Sequence, residues 1–176
     1  YMYKTIKTST LPKFCKRINS IDEINNYFTA NLTNKYNRVR IIGDIHGCYT
    51  ALQQAITPWD EKTLYIFCGD YLERGIENKE MMYEMMRLST LPNTIMLEGN
   101  HERHIANFAF HTNLDRSKRF MKDVVAPIVK DMTKKEVESL QRELRLFYKS
   151  LRQCYPFSFH GKKYLVSHGG LSYVPN

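Results

Sequence analysis

The chain has 176 residues, 43% of them apolar, and a formal net charge of +8. That share supports a single core burying roughly 70% of the extended-chain surface. No apolar run approaches the ~18 residues of a membrane span, and no signal-peptide core lies near the N-terminus, so a soluble, cytoplasmic chain with no membrane partner is expected.

Residues 1–37 read as a basic lead-in carrying Lys4, Lys7, Lys13, Lys16 and Arg17. Within it, Ser20-Ile21-Asp22-Glu23 forms a capping box, and Ile21, Ile24, Phe28 and Leu32 mark one helical face. From residue 38 a βαβ pattern sets in. Strand 38–42 is followed by a helix over Tyr49–Ile56, which Pro58-Trp59-Asp60 ends. Strand 63–68 precedes a helix capped by Asn78, whose Met81, Met82, Met85, Met86 and Leu88 crowd one side as core filler. Strand 94–97 leads to a helix over His101–Phe110.

The stretch 104–155 reads as a helical insertion. Thr133-Lys134-Lys135-Glu136 is a second capping box, and Val137, Leu140, Leu144, Phe147 and Leu151 repeat at helical spacing. Tyr155-Pro156 closes it, and Gly161-Lys162 is the turn of a hairpin joining strands 157–160 and 163–167. From Asp115 to Lys163 there are thirteen basic residues against six acidic ones, so most of the surplus charge lies here. A basic rim would steer anionic substrates, and a solvated helix face explains it equally well. Cys15, Cys48, Cys68 and Cys154 show neither CxxC nor zinc-ribbon spacing and are expected to be reduced and mostly buried.

Four short motifs follow the apolar runs Val39–Ile42, Leu64–Phe67, Ile95–Leu97 and Tyr164–Val166: Gly43-Asp44-Ile45-His46-Gly47, Gly69-Asp70-Tyr71-Leu72-Glu73-Arg74-Gly75, Gly99-Asn100-His101-Glu102 and Ser167-His168-Gly169-Gly170. Each run reads as a buried strand, which puts Asp, His, Asn and Arg in loops at strand ends, where open α/β folds place their ligands. Carboxylates of Asp44 and Asp70, imidazoles of His46 and His168 and the amide oxygen of Asn100 suit Mn²⁺, Fe²⁺ or Zn²⁺. Two such ions roughly 3.5 to 4 Å apart clamp the attacking and leaving oxygens of a phosphoryl displacement. Arg103 and His104 have two readings, substrate contact or exposed helix face, and are not assigned to the site.

From about Val39 to Leu171 these motifs resemble the calcineurin-like metallophosphoesterase superfamily. The branch most similar holds serine/threonine protein phosphatases of bacterial and bacteriophage type, symmetrical dinucleoside tetraphosphate hydrolases and RNA-repair phosphatases. The resemblance implies an α/β fold: a layered β-sheet core flanked by helices, with a helical cap at about 104–155 inside a catalytic domain 38–176. It further implies two divalent ions, Mn²⁺ first and Fe²⁺ or Zn²⁺ as the other candidates. Asp44 and His46 would bind the first ion, Asp70 both, and Asn100 and His168 the second. His101 would be the general acid, Arg74, Asn100 and His101 would contact the substrate phosphate, and a metal-bound hydroxide would attack.

Two departures accompany the resemblance. Glu73 stands where the family usually carries Asp, the carboxylate that orients the catalytic histidine. The family's further histidine, downstream of His-Gly-Gly, has no counterpart before Asn176, so a C-terminally incomplete catalytic domain or second metal site is expected. The leading expectation is a serine/threonine protein phosphatase acting on phosphoproteins. The alternatives are a dinucleoside tetraphosphate hydrolase, an RNA-end phosphatase and a truncated, non-catalytic phosphate-binding module.

Overall fold

The structure is a computed structural model that describes residues 30–170. The capping box at Ser20 and the helix it opens lie outside these residues. Strand β2 (Thr63–Phe67) is the centre of the sheet, and all five of its residues are buried. It is flanked by β1 (Arg38–Ile42) and β3 (Thr94–Met96), both parallel to it, in the order β1-β2-β3. The register pairs Ile42 with Phe67 and Phe67 with Met96. The C-terminal ends of the three strands therefore lie side by side, and the first three motifs leave the sheet from one edge.

Helix α1 (Tyr49–Ile56) and helix α2 (Asn78–Ser89) make the crossovers between the strands. The methionine stripe of α2 is core: Met81, Met82, Met85, Met86 and Leu88 are buried with Leu52, Ile56, Tyr65 and Phe67. The cap of α2 differs from expectation. Glu77 holds the N-cap position with no side-chain cap bond, and Asn78 is the first helical residue. Its amide instead accepts from the Glu73 N–H at 2.8 Å and donates to the Gly75 carbonyl at 2.7 Å. A short amide serves a tight loop as readily as a helix end, and here the loop takes it.

Helix α3 (Glu102–Phe110) ends at His111 in left-handed backbone with φ 54°. Short helical turns follow over Leu114–Ser117, Lys118–Phe120, Met121–Val125 and Ala126–Val129. The widened π-type turn at Met121–Val125 sits just before Pro127, whose ring would crowd the Asp123 carbonyl in a regular helix. Helix α4 (Lys134–Ser150) opens on the expected Thr133/Glu136 capping box. It buries Leu140, Leu144 and Phe147, and it docks on α3 where Gln141 donates to the Phe108 carbonyl and Arg145 to that of Ala109. No described helix is long and apolar enough to cross a membrane.

Strands β4 (Cys154–Phe159) and β5 (Lys162–Ser167) form an antiparallel hairpin. β4 begins at Cys154, so Tyr155 and Pro156 belong to the strand instead of closing the helix before it. The turn is His160-Gly161, one residue earlier than expected, with φ 46° and 74°. Both values suit a two-residue hairpin turn, which demands positive φ at both positions. Leu97 bridges Arg152, and Asn31 bridges Ser158. Leu32 accordingly lies outside any helix, bonded through its N–H to the Ser158 carbonyl at 2.9 Å and buried with Leu64, Ile66, Leu97 and Phe157.

Not every strand that delivers a motif is buried. In β1, Arg38 is exposed and Ile41 is 51% exposed, and β5 is exposed over Lys162–Tyr164. Each has one neighbouring strand among the described residues, and a strand at an edge is covered less. The described cysteines form no disulfide; Cys154 is buried, Cys68 half-buried and Cys48 exposed, so among them the expected burial holds for Cys154 alone.

Candidate metal centre

The parallel strand ends bring three motifs to one place, and hydrogen bonds between the loops fix them there. Ile45 and His46 donate backbone N–H groups to the Asp70 carbonyl at 3.2 and 2.9 Å, and Gly47 donates to that of Tyr71 at 2.8 Å. Gly75 returns a bond to the His46 carbonyl at 2.7 Å. A Cβ on Gly75 would lie 2.3 Å from that same oxygen, so only glycine permits the approach. His46, Asp70, Glu73 and Arg74 all hold positive φ, at 47°, 52°, 75° and 65°. Such backbone costs non-glycine residues free energy and concentrates at functional sites.

The second and third motifs are joined by a residue to which the sequence reading gave no role. Glu102, fully buried in the first turn of α3, accepts from three backbone N–H groups: Asp70 at 2.8 Å, Tyr71 at 3.0 Å and Gly99 at 2.6 Å. Burial pushes its carboxyl above the ordinary range, and the three N–H donors work against that rise. Gly99 leaves space for this clamp, because a Cβ there would lie 2.3 Å from Asp70 Oδ1. An acid at a helix start reads from sequence as an exposed dipole partner. Only the neighbouring loops make it a buried acceptor.

The candidate ligand atoms converge. His46 Nε2 lies 3.8 Å from Asp44 Oδ2 and 3.7 Å from Asp70 Oδ2. His168 Nε2 lies 3.6 Å from Asp70 Oδ1 and 2.9 Å from Asn100 Oδ1, and its Nδ1 lies 3.8 Å from Asp44 Oδ1. Asp70, 3% exposed, thus stands between the two histidines. All five residues selected for metal are brought together.

Do these groups fit a cation? His46 Nδ1 donates to the Leu72 carbonyl at 3.1 Å, which leaves Nε2 a bare lone pair. That Nε2 is buried and has no hydrogen-bond partner. His168 Nδ1 donates to the Cys68 carbonyl at 3.0 Å, so its Nε2 lone pair meets the Asn100 oxygen, an arrangement that a shared cation resolves. Outward-facing nitrogens held by carbonyls on the ring's other side are the usual setting of ligating histidines. The donor set fits divalent metal.

His101 faces two ways. Its Nε2 lies 3.8 Å from Asp70 Oδ2 and 3.5 Å from Arg74 Nη2, while its Nδ1 is bonded to Glu73 Oε2. The Asp70 Oδ1 acceptor holds the His101 N–H at 2.9 Å. Glu73 therefore reaches the imidazole, from a residue whose backbone holds positive φ. His46, Asp70 and His101 together also form a set close enough to share an ion.

A profile of calcineurin-like phosphoesterases matches residues 37–176. The chain belongs to that family. Within it, the chain is 32% identical over 136 residues to a symmetrical bis(5′-nucleosyl)-tetraphosphatase of Baumannia cicadellinicola, covering 74% of this chain and 41% of the relative. It is 38% identical over 80 residues to serine/threonine-protein phosphatase 2 of Salmonella typhimurium, covering 44% and 34%. A solved protein serine/threonine phosphatase from Saccharomyces cerevisiae superposes with a TM-score of 0.50 at 19% identity, over 85% of this chain and 44% of that one, a likeness of fold. The matched segments thus span less than half of each of these proteins.

The Glu73 contact carries a prediction. Glu73→Gln should lower turnover by roughly 10- to 100-fold, the usual cost of losing a histidine's carboxylate partner. Glu73→Asp should hold or improve it. Steady-state kinetics on the two variants checks this, and full activity in Glu73→Gln would make the residue a bystander.

Proposed function

We propose that this chain is a metal-dependent phosphomonoesterase of the serine/threonine phosphatase type, working through two divalent ions, Mn²⁺ being the first candidate. The observation that carries the reading is the pair of imidazole Nε2 atoms, on His46 and His168, each on a ring whose Nδ1 is held by a backbone carbonyl, converging on the two oxygens of one buried aspartate. Asp44 and His46 would hold one ion, Asn100 and His168 the other, and Asp70 both. When bound, such ions polarise a phosphoryl oxygen and lower the pKa of water.

The chain's own residues supply the rest. Arg74, whose guanidinium borders His101 Nε2, would take two phosphate oxygens through its planar fork. His101 would give the proton on Nε2 to the leaving oxygen as the phosphorus–oxygen bond breaks, so the alcohol departs neutral while water completes the phosphate. Glu73, bonded to Nδ1, keeps the ring turned so that Nε2 faces the reacting atoms. A polar pocket of about 330 Å³, lined by Arg74, His101, Asn78, Arg119 and Asp123, opens beside the acid and would receive the leaving group. That the described cysteines form no disulfide accords with a cytoplasmic setting.

Hydrolysis of dinucleoside tetraphosphates is the second reading, favoured by the relative that matches the larger share of this chain. Turnover of a phosphoserine peptide, a dinucleoside tetraphosphate and a 3′-phosphorylated oligonucleotide at equal metal separates the readings. The first reading expects the peptide to have the highest kcat/KM. A preference for either other substrate would replace it.

A further inference from the structure

On the side of His101 that faces away from Asp70 lies a second cluster of ligand-type side chains. Glu73, His101 and His104 each offer a donor atom within 4.8 Å of the other two. His101 and His104 stand three residues apart on the first turn of α3, with ring centroids 6.0 Å apart. That spacing puts them on one helix face. The His101 ring separates the two places, its Nε2 towards Asp70 and its Nδ1 towards Glu73.

His104 is held as ligating histidines are held. Its Nδ1 meets the Ser117 hydroxyl at 2.8 Å, and its ring stacks on Phe120 at 5.8 Å and 21°. Ser117 is 1% exposed and its oxygen also accepts from Asn107 Nδ2 at 2.8 Å. One ring nitrogen is thus engaged by a fixed neighbour, and Nε2 is left for a ligand. Arg103 Nε makes a long contact of 3.5 Å to Nε2, from an exposed side chain. Two imidazoles and one carboxylate, all half-buried, make the donor set of open zinc sites, in which solvent fills the fourth position. The pocket that opens onto Glu73 and His101 supplies a route from solvent.

We infer that Glu73, His101 and His104 form a Zn²⁺ site distinct from the centre built around Asp70, and that zinc bound there turns the enzyme off. Zinc takes His101 Nδ1, its proton is released to solvent, and the Glu73 carboxylate turns from the imidazole to the metal. Zinc binding is independent of the proposed reaction. The inhibitory consequence rests on the reading of His101 as the acid.

Zinc equivalents measured by mass spectrometry after dialysis against buffered free Zn²⁺ test the site in three proteins. The wild type is expected to hold one zinc more than His104→Gln, and His46→Ala should keep that His104-dependent zinc while losing metal at the main centre. Equal zinc in wild type and His104→Gln overturns the site. Should His104→Gln fail to fold, the ring signals of His104 in the wild type decide by NMR: they move on zinc addition if the site exists and stay fixed if it does not. In assays with Mn²⁺, the zinc concentration giving half-inhibition should rise roughly 10- to 100-fold in His104→Gln. Zinc that binds through His104 without lowering turnover overturns the inhibitory consequence, and with it the acid role of His101, while the site itself stands.

Discussion

Turnover of a phosphoserine peptide should fall by about 10²- to 10⁴-fold in His101→Asn, the range that loss of a general acid produces, while bound Mn²⁺ stays at the wild-type level. Geometry separates the two quantities. The proposed ligands meet at Asp70 from the His46 and His168 sides, whereas His101 Nε2 stands 3.8 Å from the same carboxylate beside Arg74, where a leaving oxygen would be. Its N–H already serves Asp70 Oδ1, and Asn keeps that backbone bond. The loss should shrink with nitrophenyl phosphate, because a good leaving group departs without a proton. An equal loss on alkyl and nitrophenyl phosphates would remove the acid role and return His101 to the set of candidate ligands.

The second large effect concerns a residue that touches no reacting atom. Glu102→Ala leaves three buried N–H groups, of Asp70, Tyr71 and Gly99, without an acceptor. At about 1 kcal/mol or more for each orphaned amide, the cost should reach at least about 3 kcal/mol. Glu102→Gln should cost less, since one amide oxygen can keep two of the bonds while its NH₂ confronts the third donor. Urea unfolding midpoints of the three proteins check the order, which should be wild type, then Gln, then Ala. Wild-type stability in Glu102→Ala would mean that the loops are held by the sheet alone.

The contrast between these two residues shows what a sequence discloses. Asp44, His46, Asp70, Asn100 and His168 could be selected as candidate ligands because metal chemistry restricts residue type and because each follows a strand-like run. Parallel strands in register then carry Asp44, His46, Asp70 and Asn100 to one edge, and His168 comes to them from the end of the antiparallel hairpin. Glu102 stood within a quoted motif, yet its role is set by N–H groups 31 and 32 residues away. Asn78 went the same way: a helix start beside a strained loop offers it two uses, and the sequence does not rank them. The exposure of β1 and β5 depends on which strands have neighbours on both sides, a property of the sheet and not of the runs Val39–Ile42 or Tyr164–Val166. The hairpin turn moved by one residue because His160 itself takes positive φ ahead of Gly161. The helical stretch after α3 was legible from its capping box and spacing, and its π-type turn follows from Pro127.

The central claim is that Asp70 joins two metal-binding histidines into a centre on which phosphomonoester hydrolysis depends. Phosphate release from a phosphoserine peptide, followed as Mn²⁺ is returned to chelator-stripped protein, tests it in the wild type and Asp70→Asn side by side. The wild type should be inactive when stripped and recover along a saturable curve, and Asp70→Asn should stay inactive at every Mn²⁺ concentration. Hydrolysis by the stripped protein, or recovery in Asp70→Asn equal to that of the wild type, would contradict it.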